Sequence, residues 1–267
     1  LVLRRIDRRE WAWVSIPAGV VLFMVIAYLA GGDLRGPSAA ALQVAVVDTA
    51  PELDDGRVIA NVGFTAGRRG KWTTTAPAGV VFGPSRSNNF GGIDDSNTPE
   101  IQQNSDGSSV LPNWTANVGE TRQATAVGAV AVPYRIEASN LERTNNSWSG
   151  GTITNRGSVP IERAYLVIGE TYLRLPTLPP GASYTVDPLQ EQSGFPYIFD
   201  DSISDLQIEA LTTVYDNSRN FEGNNQLAES PRLVILDSQP ALPTTLDGGS
   251  TSTAVTIYNI HLSVENN

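Results

Sequence analysis

Cysteine is absent from this 267-residue sequence, and histidine occurs only once, at His261. Without cysteine the chain has no disulfide, no thiolate metal ligand and no cysteine nucleophile, so its stability must come from packing. With one histidine, only carboxylates would remain as further zinc ligands. A Ser/His/Asp triad would need a serine on a sharp turn near His261, and the sequence contains no G-x-S-x-G segment. We therefore expect His261 to be a half-exposed strand residue, and we assign no catalytic residue.

Long hydrophobic runs are scarce, with one exception at residues 11–30, which carry no charge. A helix of twenty residues spans roughly 30 Å, the hydrocarbon thickness of a bilayer. The preceding residues 1–10 contain four arginines against two acidic residues, and such an excess marks the cytoplasmic side of a crossing. We predict a transmembrane helix at residues 11–30 in contact with lipid. The N-terminus is then cytoplasmic, and residues 31–267 lie outside the plasma membrane.

Two other interpretations of this run stay open, a cleaved signal peptide and a buried soluble helix. Small residues at 38–41 suit a signal peptide, but the run exceeds the usual apolar core of about 7–15 residues. Uncharged runs of this length are rare in soluble cores. Because the sequence begins at Leu1 rather than at a methionine, we expect residues 11–30 to be the last crossing before the outer part of a longer polypeptide.

Positive charge is also in short supply, since 18 basic residues face 28 acidic ones, for a net charge of −10. Without residues 1–10 the balance is 14 against 26, or about −12. Such a surface disfavours nucleic acid and anionic lipid headgroups as partners. We expect no nucleic-acid partner.

The outer part reads as mainly β. After a short linker at residues 31–41, β-branched and aromatic runs separated by turn-rich segments are typical of antiparallel strands. Such runs lie at 42–48, 56–64, 71–75 and 79–82, and a resumed run lies at 123–138, broken by Pro133. The tract at 83–120 is rich in Asn, Ser, Gly and Asp, and we expect it to be a long polar loop without a core of its own. Residues 42–132 are thus a first β-rich unit.

Residues 133–267 are predicted to form a second unit, an immunoglobulin-like β-sandwich. Its predicted strands lie at 147–155, 161–169, 171–175, 231–238 and 253–264. Apolar residues three and four apart at 202–215 favour one short amphipathic helix, with a strand as the rival interpretation. The predicted fold class is therefore mainly β: an N-terminal transmembrane helix, then two antiparallel sandwich-like units with one helix.

The segment GTITNRGSVPIERAYLVIGETYLRLPTLPPGASYTV resembles a pattern in uncharacterised bacterial membrane-anchored proteins that have an extracytoplasmic immunoglobulin-like β-sandwich. The front end, LVLRRIDRREWAWVSIPAGVVLF, is similar to the arginine-rich loop and crossing of the same proteins. The middle polar tract departs from the pattern. The motifs consist of turn glycines, a PPG corner and alternating strand residues, so the resemblance implies architecture and no catalytic residues.

Acidic residues cluster at three places: Asp54 and Asp55; Asp94 and Asp95; Asp200, Asp201 and Asp205. Calcium prefers carboxylate and carbonyl oxygens, but none of the clusters has the D-x-[DN]-x-[DN]-G spacing of a calcium loop. We interpret them as ordinary polar turns and assign no cofactor and no metal ligand. Calcium binding is the weaker alternative.

Three tryptophans of the outer part, Trp72, Trp114 and Trp148, could form a platform that stacks on sugars. Buried aromatic side chains supply much of the packing in a β-sandwich, so we expect Trp72 and Trp148 in the core. We expect Trp114, inside the polar tract, to be exposed. Two glycosylation acceptor patterns, at Asn113 and Asn145, are weak signals.

These observations favour a non-enzymatic scaffold or interaction subunit of a membrane assembly, with protein partners or self-assembly. The alternative is a surface adhesin or carbohydrate-binding module that uses the tract at 83–120, with or without calcium. A third possibility is a carboxylate-dependent hydrolase, but sequence cannot place two acids across a cleft.

Overall fold

The computed structural model describes Met24 and residues 39–84, 100–144, 147–168, 171–187, 192–193, 231–247, 252–263 and 265–266. Apart from Met24, which is helical, the predicted crossing at 11–30 lies outside the described residues and stays a prediction. The predicted helix at 202–215 lies outside them as well. Among the residues that were described, no helix is long and apolar enough to cross a membrane.

The described residues are mainly β, as predicted. They form seventeen strands: β1 (Ala39–Thr49), β2 (Asp55–Ala66), β3 (Gly70–Ala76), β4 (Val80–Pro84), β5 (Gln102–Gln103), β6 (Ser109–Ala116), β7 (Thr121–Ala131), β8 (Ile136–Thr144), β9 (Ser147–Asn155), β10 (Ala164–Ile168), β11 (Thr171–Leu175), β12 (Ser183–Thr185), β13 (Gln192–Ser193), β14 (Arg232–Asp237), β15 (Thr245–Leu246), β16 (Ser252–His261) and β17 (Glu265–Asn266).

The strands form three sheets. The large sheet has nine strands in the order β13-β11-β10-β14-β16-β1-β2-β7-β4. The first small sheet has the order β15-β3-β6-β5, and the second small sheet has the order β12-β9-β8-β17. Neighbouring strands are antiparallel except in two pairs, β1 with β16 and β8 with β17, which are parallel.

One face of the large sheet shares a continuous apolar core with both small sheets. Phe64 of β2 packs against Trp72 and Trp114 of the first small sheet, with ring centroids 5.1 and 5.2 Å apart. Trp148 and Ile153 of the second small sheet belong to the same buried cluster. The large sheet is therefore one layer of two side-by-side sandwiches, one over each small sheet.

The parallel pair of β1 and β16 joins the predicted first and second units, because β1 belongs to residues 42–132 and β16 to residues 133–267. Val44 and Val46 of β1 are buried on the face opposite the main core, together with Val255 and Ile257 of β16. Strands buried on both faces have near-continuous apolar sequences, which explains the run LQVAVV in β1.

The prediction of a long polar loop at 83–120 is wrong for part of this tract. Residues 85–99 lie outside the described residues, but β6 is a core strand that pairs with β3. The register of this pair shifts between Trp72 and Thr74, and Asn113 has a positive φ of 54°. This bulge interrupts the alternation of buried and exposed residues in β6. The sequence of β6 therefore lacks the regular alternation that indicates a strand.

Candidate functional site

A cavity of about 220 Å³ lies between the two layers of the first sandwich. It is bounded by β1 and β2 of the large sheet, by β3 and β6 of the first small sheet, and by residues 240–246, which we call the strap. The strap follows β14 and includes β15. The lining residues are Ala41, Leu42, Gln43, Val62, Gly63, Phe64, Thr74, Trp114, Pro240, Leu242, Pro243, Thr244, Thr245 and Leu246.

The strap is fixed to β1 by the side-chain amide of Gln43. Its Nε2 donates to the carbonyl oxygen of Leu242 at 2.9 Å, and its Oε1 accepts from the backbone N–H of Leu242 at 2.9 Å. Nε2 also lies 3.3 Å from Oγ1 of Thr244. Gln43 is buried. The two hydrogen bonds of its side-chain amide satisfy the backbone N–H and carbonyl of Leu242, which is not in a strand.

The other end of the strap pairs with the first small sheet. Thr245 and Leu246 pair with Thr75 and Thr74 of β3, and the backbone N–H of Asp247 donates to the carbonyl of Thr73 at 3.1 Å. The strap therefore spans from one layer of the first sandwich to the other and forms one wall of the cavity.

Thr74 contributes the one buried polar group of the lining that lacks a partner. Its side chain is 2% exposed, and its Oγ1 has no hydrogen-bond partner. Leaving a buried hydroxyl unsatisfied costs about 1–3 kcal/mol. Thr74 lies on β3 among inward-facing residues, between Trp72 and Ala76.

The lining is suited to binding rather than to acid–base chemistry. None of its described side chains is an acid, a base or a thiol, so it holds no general acid or base of the kind that hydrolysis requires. Its volume is below the roughly 300–1,000 Å³ of pockets for drug-sized ligands and cofactors.

His261 is half-exposed, as predicted, with 32% of its side chain accessible. It lies on β16, and its Nε2 is 3.8 Å from Oδ1 of Asp48 on the neighbouring strand β1. Nδ2 of Asn259 donates to the same Asp48 oxygen at 3.0 Å. The contact links the two parallel strands, and it lies on the face opposite the cavity.

Of the three acidic clusters noted in the sequence, only the first lies within the described residues. Asp54 lies in the turn before β2 and forms an ion pair with Arg135 at 2.5 Å, which connects this turn to the segment before β8. Asp94, Asp95, Asp200, Asp201 and Asp205 lie outside the described residues. Within the described ranges, no three acidic or histidine side chains are close enough to hold a metal ion.

The proposed sugar-stacking platform is wrong for the three tryptophans of the outer part. Trp72 and Trp148 are buried in the core, as predicted, but Trp114 is also buried, at 5% exposure, where we expected it to be exposed. Aromatic faces that pack against Phe64 are not available to stack on a sugar ring. Asn113 is exposed, and Asn145 lies outside the described residues.

A tyrosine pair joins the two sandwiches beside the connection from β7 to β8. The hydroxyl of Tyr134 donates to Oδ2 of Asp237 at 2.7 Å, and its ring packs edge-on against Tyr258 at 5.0 Å. Burial and then the hydrogen bond to Asp237 hold the pKa of Tyr134 above its usual range. Burial and then the charge of Asp237 raise the pKa of Tyr258 to about 12.

The residues that build the cavity are Gln43, Thr74 and the strap, and sequence reasoning missed all of them. Gln43 carries the one available signal, because it is a long polar residue at an inward position of an otherwise apolar strand. The sequence of the strap is typical of a Pro-containing loop, and nothing in it indicates that the strap crosses to the first small sheet.

Residues 136–266 match the family model described as Domain of unknown function (DUF8725). The match covers just under half of the chain, and it coincides with the second sandwich, from β8 to β17. The cavity lies mainly in the first sandwich, outside this match, although the strap comes from within it. No curated protein matches the chain.

Among solved structures, the Fcho1 Mu homology domain of Danio rerio with bound Eps15 peptide is similar at 9% identity and a TM-score of 0.42, with 85% of this chain and 97% of that chain covered. The yeast delta-COP-I mu-homology domain complexed with Dsl1 WxWxV peptide is similar at 5% identity and a TM-score of 0.33, with 83% and 95% covered.

Proposed function

We propose that this protein is a non-enzymatic interaction subunit that binds a partner protein at the cavity of its first sandwich. The observation that carries the proposal is the lining itself, which is mainly apolar and lacks any titratable side chain among its described residues. Affinity in protein interfaces is concentrated in a few anchor side chains that enter desolvated pockets. A cavity of about 220 Å³ is of the size that such an anchor requires.

We further propose that the subunit is anchored in the plasma membrane by residues 11–30, with residues 31–267 on the outer side. The uncharged run and the arginines of residues 1–10 support this placement. Protease added to intact cells should then digest the outer part. An outer part that resists protease in intact cells, but is cut after the cells are lysed, would contradict the orientation.

We infer that the second sandwich is of immunoglobulin type, as the resemblance to bacterial membrane-anchored proteins implies. The strand order supports this inference: β8, β9 and β12 lie in one sheet, and β11, β10, β14 and β16 lie in the other. The second sandwich supports the binding site, because its loop between β14 and β16 supplies the strap.

Site-specific photo-cross-linking tests the binding function. Leu246 of the strap lines the cavity and pairs with the inward-facing Thr74, so a photoreactive amino acid placed there faces any side chain that enters. The matched control is Val118, which is 70% exposed in the turn between β6 and β7 and does not line the cavity.

In native membranes we expect one defined protein adduct from position 246 and none of the same mass from position 118. An adduct of twice the mass of the chain would identify a second copy as the partner. No adduct from position 246, or the same adducts from both positions, would overturn the proposal.

A further inference from the structure

We infer that the end of the first sandwich at which β1 begins rests on the lipid headgroups of the membrane that anchors the chain. The contact surface consists of two neighbouring segments: the basic turn, which is residues 67–71, and the second turn, which is residues 117–120. This inference rests on the proposed anchoring by residues 11–30 and adds the surface that meets the lipid. Three observations lead to it: the point where the chain enters the sandwich, the local charge and one exposed apolar side chain.

The chain enters the first sandwich at the same end as both turns. β1 begins at Ala39, which pairs with Ala66, the last residue of β2 and the one directly before the basic turn. The second turn is joined to the same point, because the N–H of Ala66 donates to the carbonyl of Glu120 at 3.0 Å and its carbonyl accepts from the N–H of Gly119 at 2.7 Å. The start of β1 and the two turns therefore form one end of the sandwich.

A short linker limits how far this end can lie from the membrane. Only residues 31–38 separate the predicted crossing from β1, and an extended chain spans at most about 3.3–3.6 Å per residue. The linker therefore reaches no further than about 29 Å even when it is straight. The opposite end of β2, which has twelve residues, lies roughly 40 Å further away. Of the two ends of the sandwich, the one with the two turns is the end that can reach the lipid.

Three exposed basic side chains lie together in the basic turn, and they are Arg68, Arg69 and Lys71. Beyond residues 1–10, no other four consecutive residues of the sequence contain three basic ones. Such a cluster attracts lipid phosphate groups, and each basic side chain near an anionic lipid surface favours the contact about fivefold. Because the rest of the outer part is acidic, its other faces are repelled by the same surface, and this end is turned towards the lipid.

The acidic side chains beside the cluster leave most of its charge uncompensated. Glu120 of the second turn forms an ion pair with Arg122 at 2.5 Å, so these two charges cancel. Asp247 lies further along β3, where its N–H donates to the carbonyl of Thr73, and it offsets one basic charge at most. Among the side chains that the structure describes here, the net charge stays positive.

Val118 supplies an apolar contact next to the basic turn. It is 70% exposed, the largest fraction among the large hydrophobic residues described, and it lies at the tip of the second turn. In the headgroup region apolar side chains enter the acyl boundary while basic groups remain at the phosphates. A lipid surface therefore uses both features, whereas a free phosphate ion or an acidic protein segment uses the basic cluster and leaves Val118 in water.

Quenching of fluorescence by brominated lipids tests the inference on the full chain, reconstituted in vesicles of phosphatidylcholine and phosphatidylglycerol. Because the sequence has no cysteine, Val118→Cys can be labelled with a dye at that position alone. The matched control is Leu53→Cys, because Leu53 is 54% exposed in the turn at the opposite end of β2. We expect lipid quenching of the dye at position 118 and none at position 53.

Neutralisation of the basic turn tests its contribution to this contact. In the Val118→Cys background, the triple variant Arg68→Gln, Arg69→Gln and Lys71→Gln should lower the preference for lipid contact about a hundredfold and abolish the quenching. The double variant Arg68→Lys and Arg69→Lys keeps the charges and should retain it. Salt at about 1 M, where the Debye length is about 3 Å, should weaken the quenching without any substitution in the basic turn.

Two results would overturn the inference: equal quenching at positions 118 and 53, or quenching at position 118 that persists in the triple variant. Failure of the proposed anchoring has a different signature. A chain that does not float with the vesicles in a density gradient removes the anchoring and, with it, the contact. A chain that floats with the vesicles but shows no quenching at position 118 leaves the anchoring in place and removes only the contact, as when the basic turn binds an acidic protein segment instead.

Discussion

The fully buried side chain of Asn155 holds together one corner of the second sandwich. Its Nδ2 donates to the carbonyls of Val159 and Leu178, each at 2.9 Å, and its Oδ1 accepts from the N–H of Gly157 at 2.9 Å. This asparagine ends the G-x-I-x-N segment that carried the resemblance to bacterial proteins. The segment therefore has a structural role.

Replacing Asn155 by alanine should destabilise the fold. The substitution removes the amide donor of the Val159 carbonyl, whereas the Leu178 carbonyl and the Gly157 N–H keep backbone partners in Ile161 and Arg135. We therefore expect a loss of about 1–3 kcal/mol in the free energy of unfolding. Urea denaturation measures the change. Asn104→Ala is the matched control, because Asn104 is exposed and its amide makes a single bond to Ser108. An equal effect of the two variants would show that the corner is not held by Asn155.

The raised pKa values of Tyr134 and Tyr258 predict a loss of stability at high pH. An unfolded tyrosine titrates near pH 10, whereas folding keeps both hydroxyls protonated to higher pH. Above about pH 10 the unfolded chain releases protons that the folded chain retains, so stability falls as the pH rises. Their contribution is fully present below pH 10 and is lost progressively towards pH 12.

The urea midpoint at pH 8, 10 and 11.5 measures this dependence. The double variant Tyr134→Phe and Tyr258→Phe should show a flatter decline than the wild-type chain between pH 10 and 11.5. The sequence contains one lysine, so lysine titration contributes little in this range. Identical slopes in the two proteins would contradict the assignment.

Single residues were predictable from sequence where burial follows strand alternation. His261 was placed correctly for that reason. Trp72 and Trp148 were placed correctly because buried aromatic rings supply much of the packing of a β-sandwich. Trp114 was predicted to be exposed because it lies inside the polar tract. The structure buries it on β6, where the bulge at Asn113 shifts the alternation by one residue. A one-residue shift moves every following side chain to the other face.

At the scale of elements, the edge strand β4 depends on a glycine in its neighbour β7. A Cβ at Gly128 would lie 2.5 Å from the carbonyl oxygen of Gly79 and 2.8 Å from Cα of Val80. Both contacts are with backbone atoms, which can be relieved only if the strands separate. A Cβ at Gly83, which lies on β4, would have its nearest neighbour at 3.9 Å, the carbonyl oxygen of Thr125.

Gly128→Ala should therefore loosen β4, while Gly83→Ala should be nearly neutral. Overpacking of this kind typically costs about 1–3 kcal/mol, and hydrogen exchange at Val80–Phe82 should accelerate only in Gly128→Ala. Unchanged exchange in that variant would mean that β4 tolerates the added methyl group.

The strap should detach when Gln43 loses its amide. Gln43→Leu removes the acceptor of the Leu242 N–H, whereas the Leu242 carbonyl still accepts from the N–H of Thr244 at 2.8 Å. We therefore expect a loss of about 1–3 kcal/mol. Hydrogen exchange at residues 242–246 should rise as well. Gln103→Leu, on an exposed position of β5, is the control. Protection of the strap in Gln43→Leu would show that its pairing with β3 is sufficient.

Most strands could be predicted, because β-branched runs and turn residues mark them directly. The runs at 42–48, 56–64 and 171–175 lie within β1, β2 and β11. Which strands pair could not be predicted, since a pairing between β1 and β16 joins residues about two hundred positions apart and leaves no local signal. The two-residue strand β15, which closes the cavity, is too short to have a pattern.

At the scale of the whole molecule, the two sandwiches are linked by a shared sheet and by the strap. The parallel pair of β1 and β16 makes the large sheet continuous, and the strap carries a loop of the second sandwich to the first small sheet. The cavity therefore exists only when both sandwiches are folded. Its walls come from segments far apart in sequence, which is why no motif indicated it.

The central claim is that this cavity holds the partner protein. Its most direct test is the size of the full chain after gentle extraction from native membranes, compared between the wild type and Ala41→Phe, which fills the cavity from β1. We expect the wild-type chain to run as a complex with one partner, and Ala41→Phe to run without it at an unchanged melting temperature. A folded Ala41→Phe that runs in the same complex, in the same yield, would contradict the account.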